Sequence, residues 1–234
     1  NVIVLTIRLV TRTFLSVHVI RAECAHFAHT SLRVVRSVLR VPSIMCPSHK
    51  SVVSCFAIAA MCRNRGIGFK NALPWRLKKE MAFFKRMTSE AAEGKQNAVV
   101  MGRNTWESIP PKFRPLNNRI NVVVSKTLTE VPEGHHVASS FPAALQLLQT
   151  LVDTGKVDKV FLVGGAQLYR EALESGHCTR IYLTEVDKDF ECDVFFPEFD
   201  NSVFSPVEEE GVPQEPQQED GVTFRFRVYE RVQN

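Results

Sequence analysis

Metal and redox signatures are missing from this chain. Its six cysteines, Cys24, Cys46, Cys55, Cys62, Cys178 and Cys192, form no C-x-x-C pair and no metal-ligand spacing with histidine. Free, buried thiols in a reducing compartment are therefore expected. Long apolar runs are missing too, since the first one is cut by Arg8 and Arg12, well short of the roughly 20 residues that cross a bilayer. No G-x-G-x-x-G occurs, Gly66-Ile67-Gly68 included, so the standard dinucleotide fingerprint is lacking. Basic charge is lacking where a core would lie: residues 1–50 carry seven Lys/Arg against Glu23 alone, whereas residues 51–234 carry 22 against 24 acids. The overall charge of +4 thus gives no reason to expect nucleic-acid binding.

Acid is scarcest just where the chain becomes most distinctive, in GIGFKNALPWRLKKEMAFFKRMT from Gly66 to Thr88. Between Glu23 and Glu90 the sole carboxylate is Glu80, standing among Lys70, Arg76, Lys78, Lys79, Lys85 and Arg86. At helical period Leu77, Glu80, Met81 and Phe84 share one face, while Lys78, Lys79, Lys85 and Arg86 project to the other side. An acid on the greasy face with cations on the wet one reverses ordinary amphipathic patterning. Such a carboxylate needs a partner, either from elsewhere in the fold or from a ligand.

Val52–Met61 is a short apolar run suited to a strand buried on both faces. Cys62–Pro74 is polar and Gly-containing, a loop long enough to move, and Pro74-Trp75 lead into the helix bearing Glu80. Asn97–Met101 reads as a strand turning at Gly102 into a short helix through Ile109, stopped by Pro110-Pro111. Arg119–Ser125 is a further strand, and another is expected near His136–Ala138. Ser140 then caps a helix to Leu151 with Pro142 in its first turn. Val160–Val163 runs into Gly164-Gly165 and a helix over Ala166–Ser175, followed by the strand Arg180–Val186. Glu208–Gly221, acidic and rich in Pro and Gln, is predicted to be a solvated loop. It separates Ser202–Val207 from Val222–Val232, two alternating segments expected to close as an antiparallel hairpin.

The fold class is α/β: one domain over residues 51–234, a mostly parallel central sheet flanked by helices, with the C-terminal hairpin antiparallel. Ligands on such sheets bind at the carboxyl ends of the strands, which gathers Ile58 to Met61, Gly102, Ser125, Gly164 and Thr184 around one crevice. Residues 1–50 stand apart. Their Arg-rich, Ser-containing composition, almost free of acid, suits a mitochondrial presequence; the alternative is a disordered or spurious upstream segment with the true start at Met45.

Two strand-to-helix corners could hold anions. Gly102-Arg103-Asn104-Thr105 offers a cation, a hydroxyl and free N–H groups at a helix start, and Gly164-Gly165-Ala166 permits close backbone approach. Singly, each is more often a plain corner. Together, with Ser125-Lys126 at a third strand end, they make a dinucleotide plausible. Arg119, opening a strand, would ordinarily be a solvated edge charge, Ile109, Leu116 and Phe84 ordinary core, and Thr184 a strand threonine satisfied by nearby backbone.

The ordered set GIG…LPW-x-L-x-x-E…MGRNTWESIP…RPLNNRINVVVS…VFLVGGAQLY…IYLTEV…DVFFPEF resembles the dihydrofolate reductases over about Val52 to Val232. The resemblance implies a monomeric, cytoplasmic enzyme without membrane, nucleic-acid or obligate protein partners. The cytoplasmic placement gives way to a mitochondrial one if residues 1–50 are a presequence. It implies NADPH-dependent reduction of 7,8-dihydrofolate, with folate as a further substrate, by hydride transfer to pterin C6 and protonation at N5. Glu80 would grip the pterin, supported by Trp75, Thr184 and Leu73. The implied cofactor site is Ala60, Ile67, Arg103, Asn104, Thr105, Ser125, Lys126, Gly164, Gly165, Ala166 and Tyr169, with a cis peptide between the two glycines. Substrate would lie against Ile58, Met81, Phe84, Ser108, Ile109, Leu116 and Val163, with its α-carboxylate clamped by Arg119. Departures from the vertebrate pattern are the acid five residues after Trp75, a spacing found in many bacterial enzymes though here with Glu rather than Asp, and Met81 in place of an aromatic. A riboflavin-pathway reductase of the same fold should lack LPW-x-L-x-x-E, and a catalytically silent binder should lack competent site residues.

Overall fold

The computed structural model describes residues 53–232, so the readings made for residues 1–50, and for Cys24 and Cys46, lie outside it. In chain order the strands are β1 (Cys55–Cys62), β2 (Gly66–Gly68), β3 (Gln96–Gly102), β4 (Arg119–Val124), β5 (His136–Ala138) and β6 (Val157–Leu162). They continue with β7 (Cys178–Val186), β8 (Val194–Phe195), β9 (Phe204–Val207), β10 (Gln217–Glu219) and β11 (Val222–Arg231). The helices are α1 (Lys78–Ser89), α2 (Arg103–Ser108), α3 (Phe141–Asp153) and α4 (Ala166–Glu174).

The main sheet runs β10-β11-β7-β1-β6-β3-β4-β5, with β9 also on β11. From β7 to β5 every pairing is parallel, and β9, β10 and β7 each pair antiparallel with β11. Sequence follows position. Strand β3 is covered on both faces and is buried from Ala98 through Met101. Strand β11 alternates instead: Val222, Phe224, Phe226 and Val228 are buried, with Thr223, Arg225 and Arg227 between them more open.

Helices cover both faces. Phe141, Ala144, Leu148 and Leu151 of α3 join Leu168 and Ala172 of α4 in one core cluster, while Leu77, Phe83 and Trp106 join the other. The Ser140 side chain accepts from the Ala143 N–H at 3.3 Å, the expected cap of α3. No helix among the described residues is long and apolar enough to cross a membrane. Cys55, Cys62, Cys178 and Cys192 are all free, the first three buried.

Three expectations change. Glu208–Gly221 is not simply a solvated loop. Val212 is buried, Gln217–Glu219 forms β10, and Glu209 binds Arg180 at 2.8 Å and the Tyr182 hydroxyl at 3.0 Å. Glu209 and Glu219 are held by partners distant in sequence, which composition does not display. The Cys62–Pro74 loop contains β2, which pairs with β8, and Cys192 packs so closely on Gly66 that no Cβ would fit there. On α1 the core-facing aromatic is Phe83, stacked on Phe226 with ring centroids 4.0 Å apart. Leu77 and Glu80 are buried, but Met81 is 45% exposed, because its side of the helix forms the wall of a cleft. Lys85, expected among the outward cations, lines that cleft as well.

Candidate active site

The carboxyl ends of β1, β3 and β6 open into a cleft of about 1410 Å³, larger than the roughly 300–1,000 Å³ that holds one small ligand. One wall is the α1 side, with Glu80, Met81 and Phe84 facing Ile109 and Leu116. Ile58 and Ala60 of β1 form the floor, with Val163 and Tyr169 beside them. At the other end lie Arg103, Asn104 and Thr105 across from Gly164, Gly165 and Ala166, with Ser108 between the two regions. Ile67 and Leu73 line the cleft as well, Leu73 half exposed.

Glu80 is 6% exposed and makes no salt bridge or side-chain hydrogen bond among the described residues. Burial pushes its carboxyl up to about 7 from an ordinary 4.5. Close by, the Tyr169 hydroxyl donates to the Ile58 carbonyl oxygen at 2.7 Å. Burial first, and the Glu80 charge second, hold that phenol above its usual range. The Ile58 carbonyl expected at the pterin edge therefore already receives one hydrogen bond.

Arg119 is the complement of Glu80. It too is 6% exposed, and it has no carboxylate partner among the described residues. Its Nε donates to the Asn117 carbonyl at 2.9 Å and one terminal nitrogen to Thr88 Oγ1 at 2.8 Å. Thr88 Oγ1 in turn donates to the Phe84 carbonyl at 2.7 Å, tying the guanidinium to the last turn of α1. Burial lowers the pKa of Arg119, as expected of a desolvated cation.

The glycine corner is shaped for close approach. Gly164 and Gly165 are joined by a cis peptide, and the Gly164 carbonyl accepts from the Gly102 N–H at 2.8 Å. A Cβ on Gly164, at φ +118°, would stand 3.2 Å from Thr105 Oγ1. Arg103 donates to Thr127 Oγ1 at 3.0 Å, which brings it to the turn carrying Ser125 and Lys126. The Ser125 hydroxyl oxygen accepts from the N–H groups of Thr127 and Leu128, and neither Ser125 nor Lys126 belongs to the cleft wall.

Trp75 and Thr184 also lie behind the wall. Thr184 is buried on β7 between Ala60 and Phe226, and Trp75 Nε1 is the one side-chain nitrogen or oxygen among the described residues that is itself fully enclosed and left without a partner, the Glu80 carboxylate opening on the cleft. Residues passed over in the sequence complete the wall. Phe113 is exposed at its edge, and Asn121 holds Leu116 from both sides, accepting from its N–H at 2.9 Å and donating to its carbonyl at 3.0 Å. An asparagine inside the apolar run RINVVVS is a signal, since a buried amide must be satisfied locally.

A parallel sheet opening at its strand ends onto one cleft, with a buried acid and a buried guanidinium along it, defines a small-molecule enzyme of the α/β class. The family model for dihydrofolate reductase matches residues 54–231. The chain belongs to the dihydrofolate reductase family and is an oxidoreductase of that family. It is 44% identical over 180 residues to the dihydrofolate reductase of Heliothis virescens, covering 75% of this chain and 96% of that one. It is 46% identical over 179 residues to that of Gallus gallus, covering 75% and 95%. The solved Schistosoma mansoni dihydrofolate reductase superposes with a TM-score of 0.71 at 43% identity, covering 78% of this chain and all (100%) of that one.

Proposed function

We propose that the protein reduces 7,8-dihydrofolate to 5,6,7,8-tetrahydrofolate with NADPH, acting as a cytoplasmic monomer. One observation carries the reading: Glu80 and Arg119, each buried and without a partner of opposite charge among the described residues, both line a single, largely apolar cleft. A ligand that suits it carries a cationic or hydrogen-bond-donating group for Glu80, apolar surface for the walls and an anion for Arg119. Folates have that layout.

The acid would hold the amidine edge of the pterin, a pairing that returns the Glu80 carboxylate to its charged form. Phe84, Ile109 and Leu116 would flank the benzoyl ring, and Arg119 would clamp the α-carboxylate in bidentate fashion. Glu80 supports protonation at N5 through solvent, and the unpartnered Trp75 Nε1 is a donor suited to fixing a water beside it. Ile67 and Leu73 on the segment before α1 exclude bulk solvent. That segment is partly pinned, since the Lys70 N–H donates to Asp193 Oδ2 at 2.9 Å.

The remaining half of the cleft fits NADPH, because the bare backbone of Gly164-Gly165 leaves space that a Cβ would fill and Arg103 stands at one end. Arg103, Asn104 and Thr105 would hold phosphates, with Ser125 and Lys126 at the 2′-phosphate; when bound, the cofactor supplies the hydride. Ala60, Ala166 and Tyr169 would complete its site, and Thr184 would act from behind the wall. Loss of NADPH absorbance on adding dihydrofolate tests the reading. One NADPH consumed per tetrahydrofolate formed is expected. A purified, folded protein that binds both compounds but consumes neither would overturn it.

A further inference from the structure

We propose that Glu219, which does not line the cleft, is a positioning residue for Glu80: it caps helix α1 from β10 and thereby sets where the acid stands. This rests on the role given to Glu80 above. The start of α1 lacks a local cap, because its N-cap residue is Leu77, whose side chain is apolar and buried. The first N–H groups of a helix have no acceptor of their own and need one. Glu219 provides it bidentately, Oε1 accepting from the Lys78 N–H and Oε2 from the Lys79 N–H, each at 2.8 Å. The residue that follows is Glu80.

The cap is fixed at its own base. Glu219 pairs with Val222 in the β10–β11 ladder, and β11 is bonded along β7, next to the centre of the sheet. The same segment grips α1 again, where Arg86 donates to the Gly211 carbonyl at 2.6 Å, and Phe83 stacks on Phe226 of β11 between the two. Glu80 therefore sits between a hydrogen-bonded anchor at residues 78 and 79 and an aromatic anchor at residue 83. Glu219 makes no salt bridge with the Lys78 or Lys79 ammonium; its contacts are to the backbone, which is the part of the helix that places the acid.

The test uses the full chain with Glu219→Ala and Glu219→Gln, measuring kcat, the KM for dihydrofolate, the KM for NADPH and the thermal midpoint. Misplacing an active-site group by about 1 Å can cost on the order of a hundredfold in rate, and Glu219→Ala is expected to lower kcat/KM for dihydrofolate by up to that order. The KM for NADPH should stay within about twofold, since the cap touches only α1. Glu219→Gln, whose amide offers one acceptor where the carboxylate offers two, should recover only part of the loss and provides the readout if the alanine variant folds poorly. A lowered midpoint with unchanged dihydrofolate parameters in both variants would make Glu219 merely structural and overturn the proposal, as would equal losses toward both ligands. If the unaltered protein fails to turn over dihydrofolate, the function assigned to the cleft falls instead.

Discussion

The buried acid sets two opposing demands on one residue. Glu80→Gln keeps the size and one acceptor but removes the charge, so turnover at pH 7.5 should fall by about 10²–10⁴. As pH drops, solvent delivers substrate already protonated at N5. The deficit measured by single turnover should therefore shrink between pH 8 and 5, and a constant deficit would leave Glu80 with orientation only. In the unliganded protein the sign reverses. The folded pKa of about 7 lies above the ordinary 4.5, so the contribution of Glu80 to stability is full below about 4.5 and lost as pH rises through 7. Carrying the charge unpaired at pH 8 costs at most about 3 kcal/mol, so Glu80→Gln without ligands should melt several degrees higher there, with the gap closed by pH 4.5. Equal melting curves at pH 8 would mean that the carboxylate finds a partner in the unliganded fold. For Arg119→Leu, loss of a charge-assisted pair of about 1.5–3 kcal/mol should weaken folate roughly ten- to a hundredfold. Calorimetry should show NADPH affinity unmoved.

The elements differ in how openly they declare themselves. At the corner between β6 and α4, Gly164→Ala would force a side chain into φ +118° and against Thr105 Oγ1. A loss of about 1–3 kcal/mol is expected, with the KM for NADPH rising more than that for dihydrofolate; a variant with normal midpoint and KM would show the corner to be tolerant. This corner was legible in the sequence because strand, Gly-Gly and helix adjoin in the chain. So were the cap of α3, the β3–α2 turn and the mostly parallel character of the sheet, though not its strand order. What stayed hidden is non-local. The grip of the 209–219 segment on α1 spans 140 residues between Glu219 and Lys79, and nothing in EEEGVPQEPQQEDG displays its partners. Met81 shared the apolar spacing of Leu77 and Glu80, but hydrophobic period does not tell a core face from a cleft wall. Nothing in the sequence singles out Thr88, yet it accepts from Arg119 across 31 residues.

For the whole molecule, every residue assigned a role in the cleft falls between Ile58 and Thr184, within the matched residues 54–231. We therefore expect removal of residues 1–44 to leave kcat and the thermal midpoint unchanged, and a fall of either would show that the segment contributes to the enzyme. The long reach of Glu219 also has a consequence in time. A ribosome adding about 5–20 residues per second needs roughly 7–30 s to travel the 140 residues from Lys79 to its cap. During that interval β3, β4 and β6 are made in turn and can begin to assemble with β1, while the first turn of α1 has no acceptor for its N–H groups. The acid is among the earlier site residues to be made and the last to be secured. A message interrupted before codon 219 would then yield a chain that has every assigned cleft residue and still lacks the acceptor that seats the acid.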